Sequence, residues 1–219
     1  TTNKYHFFWP GVGNLAVVNL ALSGTMLGCV RRWGLYDERG GVYFCYDENG
    51  VLGIEATSAV GPAKIFIPQS EWTEDRLDGS GPSAFNLDIT KVNAYWGDTS
   101  GIEGGRIRLG VLDSVGNRIV CHSMPMVNFG INPFFSLGAV PIRYEIENLT
   151  ATGGPSNMRI GLGSVRAQGE LSYTYWRYAY DHPLKAITTP NRPLLTLRSK
   201  ATWNGMHNST NAYPESYSC

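Results

Sequence analysis

Short apolar runs alternate with turn signals along most of this chain. Residues 37–41, Asp-Glu-Arg-Gly-Gly, form one such signal, and residues 47–50, Asp-Glu-Asn-Gly, form another. Asn-Gly is a strong short hairpin signal because both residues tolerate positive φ. Residues 114–117, Ser-Val-Gly-Asn, predict a further hairpin. Strand-sized runs between turns predict about a dozen short strands and no helix of normal length.

Regular spacing of short strands indicates two packed antiparallel sheets. We therefore expect an all-β fold, a jelly-roll or concanavalin-like β-sandwich, as a single domain over residues 1–219. The chain starts at Thr1 without a methionine, which indicates processing or a longer product. The predicted strands are residues 15–22, 28–36, 42–46, 51–57, 63–67, 84–89, 92–96, 106–113, 118–123, 140–148, 158–169, 171–176 and 194–203.

Two of these strands alternate clearly enough to predict which side chains are buried. Side chains alternate between the two faces of a strand. We expect burial for Ile107, Leu109, Ile142, Tyr144 and Ile146. We expect Arg106 and Glu147 to be exposed, and Arg143 and Glu145 to share the polar face with Glu147.

Charge and hydropathy narrow the classes of partner. The formal net charge is zero, so there is no global basic field for nucleic acid or an anionic membrane. The longest apolar run, residues 15–22, contains Asn19 and is shorter than the ~20 residues of a membrane span. The N-terminus lacks a signal-peptide pattern. We therefore expect no nucleic-acid partner and no membrane insertion.

The cysteines and histidines give no metal or catalytic motif. The four cysteines, Cys29, Cys45, Cys121 and Cys219, match no zinc spacing. Buried free thiols in a protein made in a reducing cytosol are the favoured interpretation over disulfides. A Cys121/His122 dyad is disfavoured because adjacent strand residues point to opposite faces. We expect no metal and no cofactor.

One carboxylate pair invites an enzymatic hypothesis. Glu145 and Glu147 share one strand face at roughly 7 Å, near the separation of glycosidase acid/base pairs. The alternative, which we favour, is a solvated sheet face with Arg143 pairing alongside. We therefore expect no catalytic residues and no enzyme activity.

Alternating aromatic residues near the C-terminus are candidates for a binding surface. Trp176, Tyr178 and Tyr180 would line one strand face. Such a row could stack against sugars or form a subunit contact, and the alternative is ordinary sandwich core. Exposed loop residues such as Asp37 and Asp47 beside an aromatic row would favour sugar binding.

Several segments in fixed order carry a family resemblance over roughly residues 5–205. Among them, the loop at residues 78–83 and the strand at residues 141–148 are fairly specific together. The segments, read from this sequence, are VRRWGLYD through VYF at residues 30–44, PQSEW at 68–72, DRLDGSGPS at 75–83, LDITK at 87–91, GRIRLG at 105–110, PIRYEIEN at 141–148 and RPLLTLR at 192–198. In this pattern the chain resembles virion structural proteins of tailed phages and related large DNA viruses. It departs from the family at residues 101–105, Gly-Ile-Glu-Gly-Gly, where the family has Trp-Leu-Gly-Val-Gly.

The resemblance implies a non-enzymatic role in a virus particle. Capsid decoration or cement, a fibre or a tail component are all consistent with it. Its implied partners are other virion proteins and further copies of the chain, and its location is the virion after synthesis in the host cytoplasm. The alternative is a lectin-like receptor-binding module that recognises host surface glycan. Fold alone does not decide between them.

Overall fold

The computed structural model describes residues 5–7, 12–58, 64–100, 105–125, 139–150, 156–168, 202–203 and 206–207. Within these residues the protein has thirteen short β-strands and one 3₁₀ turn, Gln69–Glu71. The chain divides into two compact units, residues 1–173 and 174–219. The first eleven strands belong to the first unit, so the sandwich described below lies within it.

The first unit consists of two antiparallel sheets. Its strands are β1 (Tyr5–Phe7), β2 (Gly13–Leu22), β3 (Cys29–Asp37), β4 (Gly40–Tyr46), β5 (Leu52–Ser58), β6 (Lys64–Pro68), β7 (Asn93–Ser100), β8 (Arg106–Leu112), β9 (Arg118–Pro125), β10 (Ala139–Asn148) and β11 (Met158–Gln168). One sheet has the order β1-β10-β3-β4-β5-β6, and the other has the order β11-β2-β7-β8-β9. The predicted jelly-roll or concanavalin-like two-sheet sandwich is confirmed. In the second unit, β12 (Thr202–Trp203) pairs with β13 (Met206–His207).

The two sheets pack face to face around an aromatic core. The Trp33 ring on β3 stacks on Phe44 of β4 at 5.9 Å between ring centroids. It also meets the edge of Tyr95 at 5.1 Å, and Tyr95 comes from the opposite sheet. Alternate residues of each strand point inward, as a strand period of two requires. Aliphatic residues such as Leu20, Ile54 and Val111, all fully buried, complete this core.

Aspartates close the two hairpins predicted around residues 47–50 and 114–117. Asp47 Oδ1 accepts hydrogen bonds from the backbone N–H groups of Asn49 (3.0 Å) and Val51 (2.7 Å). Gly50 has φ of 73°, a conformation that favours glycine. Asp113 holds the turn between β8 and β9 in the same way, accepting from the Asn117 N–H at 2.8 Å. Both turns therefore set the register of the strands that they join.

The predicted strand at residues 84–89 is wrong. Residues 69–92 form an ordered loop in which the described strand-like pairing is one bridge, between Asp78 and Asn86. Ala84 has φ of 53°, which is incompatible with an extended strand. The loop is organised by side-chain-to-backbone bonds that compete with strand pairing.

The buried Asp75 carboxylate is the centre of that loop. It accepts hydrogen bonds from the N–H groups of Leu77 and Ser83, both at 2.8 Å. Burial acts to raise the pKa of Asp75, but these backbone donors outweigh it and hold the pKa below its usual value. The charged carboxylate therefore stabilises the loop, and this contribution is lost as the pH falls through the lowered pKa.

The burial prediction is confirmed except near the end of β10. Ile107, Leu109 and Ile142 are buried, and Arg106 and Glu147 are exposed. Tyr144 is half-buried, and Ile146 is 42% exposed. The expectation for Ile146 is wrong because the facing edge strand, β11, is itself largely exposed. The predicted strand at residues 171–176 lies outside the described residues, as do residues 194–201 of the strand predicted at residues 194–203, of which residues 202–203 form β12.

Candidate functional site

The outer face of the six-stranded sheet carries aromatic and charged side chains on five neighbouring strands. Strand pairing places Arg143 opposite Gly34, Gly34 opposite Tyr43, Tyr43 opposite Glu55, and Glu55 opposite Phe66. Paired residues point to the same face of a sheet. These five residues therefore form one line across the sheet, which we call the aromatic row.

A second line beside the aromatic row adds a tyrosine and a lysine. Tyr36, Gly41, Thr57 and Lys64 are successive cross-strand partners. The rings of Tyr36 and Tyr43 lie 4.1 Å apart between centroids. The Arg143 guanidinium lies 5.4 Å from the centre of the Tyr36 ring. Tyr36 therefore contacts both an aromatic ring and a cation.

Two glycines let the rings lie close to the sheet. A Cβ on Gly53 would come within 2.6 Å of the Phe66 ring atoms Cε2 and Cζ. A Cβ on Gly34 would lie 2.7 Å from the Cβ of Tyr43. Real Cβ atoms do not approach so closely, so glycine is required for these ring positions.

Ion pairs fix the charged side chains of this face. Lys64 Nζ lies 3.0 Å from Glu55 Oε2, and the Tyr43 hydroxyl donates to Glu55 Oε1. Arg32 Nη1 lies 2.8 Å from Glu147 Oε2 and 3.4 Å from Glu145 Oε1. The fixed geometry gives the face preorganised donors and acceptors.

Burial and these partners shift the pKa values of the tyrosines. Burial raises the pKa of Tyr36, and the neighbouring Glu145 carboxylate raises it further. Burial likewise raises the pKa of Tyr43, with the hydrogen bond to Glu55 adding to the effect. Both hydroxyls therefore stay protonated at neutral pH and act as hydrogen-bond donors.

Some side chains of this face are buried, and others are accessible to solvent. Tyr36, Tyr43 and Glu55 are buried, whereas the Lys64 side chain is 59% exposed. Phe66 is half-buried, so part of its ring remains accessible. A flat ring beside fixed charged groups is an arrangement suited to stacking and hydrogen bonding with a ligand.

The Cys121/His122 pair illustrates a limit of strand alternation. The register of the pairing between β8 and β9 shifts between Leu109 and Gly110. Both Cys121 and His122 are buried. The reasoning that adjacent residues must face apart therefore does not hold at this bulge. The Cys121 thiol donates to the Leu109 carbonyl oxygen, and burial raises its pKa, which disfavours the thiolate. Thr73 Oγ1 lies 3.3 Å from His122 Nδ1.

The glutamate candidates pair with an arginine, and the two loop aspartates lie far from each other along the sheet. Glu145 and Glu147 share the outer face, as predicted, and both pair with Arg32. Asp37 pairs with Arg39, and Asp47 closes its own turn. Because Asp37 precedes β4 and Asp47 follows it, the two aspartates lie at opposite ends of that strand.

The predicted aromatic candidates Trp176, Tyr178 and Tyr180 lie outside the described residues. The aromatic row was missed by reasoning from the sequence, although a signal for part of it exists. The Asp47–Val51 turn contact implies that Tyr43 and Glu55 are partners.

The free cysteines predicted to be buried, Cys29, Cys45 and Cys121, are buried and unbridged.

The described residues hold neither a metal-binding cluster nor a membrane-spanning helix. They contain no group of three or more His, Cys, Asp or Glu side chains placed to hold a metal ion. They also contain no helix with the length and apolar character needed to cross a bilayer.

Comparisons with known proteins identify similar architectures but no family. The chain matches no protein-family model, and no curated protein matches it significantly. A Shewanella oneidensis MR-1 protein of unknown function is 14% identical over 77% of this chain, with a TM-score of 0.46. This chain spans 63% of that protein.

Two galectins are also similar in structure. Caenorhabditis elegans galectin LEC-6 is 14% identical, with a TM-score of 0.42, over 75% of this chain and 89% of the galectin. A tetrameric galectin from the ball sponge Cinachyrella is 14% identical, with a TM-score of 0.39, over 74% of this chain and 96% of the galectin. Because all three TM-scores are below 0.5, the strand pairing described above, and not these matches, defines the fold.

Proposed function

We propose that this protein is a non-enzymatic glycan-binding module and that it binds through the outer face of the six-stranded sheet. The observation that supports this most directly is the aromatic row, with the Phe66 ring lying across Gly53. Sugar rings have an apolar face that stacks on aromatic rings and hydroxyl groups that pair with charged side chains. The Phe66 ring and the Lys64–Glu55 pair supply both features on adjacent strands.

The charges of this face favour an uncharged sugar. Three basic side chains, Arg32, Lys64 and Arg143, and three acidic ones, Glu55, Glu145 and Glu147, point outward from its strands. They pair with one another, so the face has no excess charge to attract an ion. A ligand must therefore be recognised by stacking and hydrogen bonds.

A glycan array with matched lysine variants tests this proposal. Lys64→Gln should weaken binding of any glycan hit roughly ten-fold, the loss of one charge-assisted hydrogen bond. Lys91→Gln is the control, because Lys91 is also an exposed lysine beside a carboxylate, at 3.4 Å from Asp88. Phe66→Leu keeps apolar volume but removes the ring and should weaken binding several-fold.

Thermal unfolding of each variant separates binding loss from folding loss. Affinities are compared well below each unfolding midpoint. Equal effects of Lys64→Gln and Lys91→Gln would contradict the proposal, as would an array without any hit.

A structural role in a virus particle, implied by the family resemblance, is the second candidate. The observation that favours a role in assembly is strand β11, which is outermost among the described strands of its sheet. It exposes Leu162 by 85% and Ile160 by 51%. Exposed apolar groups on a sheet edge are suited to contacts with other virion proteins or further copies of the chain.

A further inference from the structure

The outer face of the five-stranded sheet is rich in arginine. Strand pairing places Arg108 opposite Asp98, and Arg166 and Asp98 both opposite Leu15, so all four point to one face. The described strand residues of this face comprise five arginines, Arg106, Arg108, Arg118, Arg159 and Arg166, and one acidic residue, Asp98. Five positive charges less one negative charge leave an excess of four on this face.

This excess is hidden by the neutral totals of the chain. The whole chain has a formal net charge of zero, and the opposite sheet's outer face is balanced. Only the pairing of β8, β9 and β11 with their neighbours brings the arginines onto one surface. We call this surface the arginine face.

Asp98 neutralises only part of the arginine face. Its buried carboxylate accepts from Arg108 Nε at 2.9 Å and lies 3.8 Å from Arg118 Nη1. This hydrogen bond raises the pKa of Arg108. Arg159 and Arg166 are exposed and lie opposite Ala21 and Leu15, which are apolar. Their charge is therefore not offset by their cross-strand neighbours.

The spacing of these charges suits a polymer with repeated anionic groups. Arg166 and Arg108 are three strands apart, which is roughly 14 Å at the usual strand spacing. Arg106 and Arg108 are two residues apart on one strand, which is roughly 7 Å. Guanidinium groups bind sulfate and carboxylate in a bidentate manner.

We propose that the arginine face binds an anionic polysaccharide, one that carries sulfate or uronate groups. This proposal is independent of the function proposed for the opposite sheet. Rigid sugar rings hold anionic groups at set distances, so less conformational freedom is lost on binding than with a flexible acidic polypeptide.

The same face is poorly suited to single-stranded nucleic acid. Base stacking needs accessible aromatic rings. The ring on this face, Trp96, is 2% exposed, and its indole N–H donates to the Val111 carbonyl oxygen at 3.0 Å. The Arg118 guanidinium lies 5.5 Å from the ring centre. The face therefore offers charge without a stacking surface among its described residues.

Heparin binding by matched triple variants tests the proposal. Arg106→Gln, Arg159→Gln and Arg166→Gln together remove three exposed charges from the arginine face. The control removes three exposed charges elsewhere, through Arg39→Gln, Arg76→Gln and Lys91→Gln. The face variant should bind heparin at least roughly ten-fold more weakly, as three exposed charge contacts predict. The slope of log affinity against log salt should become shallower by roughly 2 to 3.

The control and a second variant make the outcome unambiguous. The control should bind like the unaltered protein, and lysine at the same three face positions should retain the salt slope because the charge is kept. Absence of heparin binding, or equal weakening by the control, would overturn the proposal. Tighter binding to single-stranded DNA or polyglutamate than to heparin would overturn the assignment to a polysaccharide.

Discussion

At the scale of single residues, two adjacent arginines on β3 have opposite environments. Arg32 points outward and pairs with Glu145 and Glu147. Arg31 points inward, is 0% exposed, and its three guanidinium nitrogens have no hydrogen-bond partner in the part of the chain that the structure describes. Its guanidinium lies 4.9 Å from the centre of the Tyr46 ring, and burial lowers its pKa. A buried, unpaired charge is destabilising.

We therefore expect Arg31→Met to stabilise the protein. Methionine keeps a long apolar stem against Tyr46 and removes the buried charge, so the free energy of unfolding should rise by roughly 1–3 kcal/mol. Arg32→Met should instead lower it by up to about 1 kcal/mol, since a partly exposed ion pair is lost. Urea unfolding monitored by circular dichroism measures both. A destabilising Arg31→Met would contradict our description of this site.

At the scale of single elements, β11 is an outermost strand among the described strands of its sheet and is largely exposed. It has eleven residues, no proline and no acidic residue. Pairing with β2 shifts between Ile160 and Gly163, and an extra residue there forms a bulge. Leu162 lies within this bulge and is 85% exposed. Such an edge can pair with a strand of another molecule.

We expect self-association through β11 that Leu162→Arg abolishes. A charge on the edge is unfavourable in an apolar contact. Val115→Arg is the control, because Val115 is similarly exposed, at 80%, but lies in the turn between β8 and β9. Sedimentation equilibrium should show a dimer or larger species for the unaltered protein and the control, and a monomer for Leu162→Arg. If the unaltered protein is monomeric at all concentrations tested, this edge is excluded as a self-association site.

At the scale of the whole molecule, the inter-sheet core packs the two sheets against each other as one sandwich. Trp33 contacts Phe44 and Tyr46 in its own sheet and Tyr95 in the other. The two outer faces then carry different charge distributions, balanced on one sheet and basic on the other. The same fold therefore presents two surfaces of different chemistry.

Truncation of Trp33 should destabilise both sheets together. We expect Trp33→Ala to lower the free energy of unfolding by roughly 3–5 kcal/mol, as for other large-to-small core changes. Val92→Ala, at a residue that is 75% exposed, should change it by less than about 0.5 kcal/mol. Tryptophan fluorescence and far-ultraviolet circular dichroism should report one coincident transition. Separate transitions would contradict this prediction.

Part of the candidate site follows from local sequence. The turn at Asp47–Gly50 sets the register of β4 and β5, so Tyr43 and Glu55 are predictable partners. The position of Phe66 and Lys64 beside Glu55 is harder to predict, because the sequence at residues 59–63, before β6, has no hairpin signal as specific as Asn-Gly. The predicted strand at residues 84–89 failed for a related reason: Asp75 organises that loop from a distance in sequence.

The sequence by itself determined the strand periodicity, the two aspartate-closed hairpins and the all-β class, because these depend on neighbours a few residues apart. Tertiary structure alone decided which distant strands pair, such as β11 with β2 and β10 with β3. It thereby decided that three acidic and three basic side chains balance on one face while five arginines gather on the other. Local preferences cannot encode these pairings, since they arise from burial of a core shared by the two sheets.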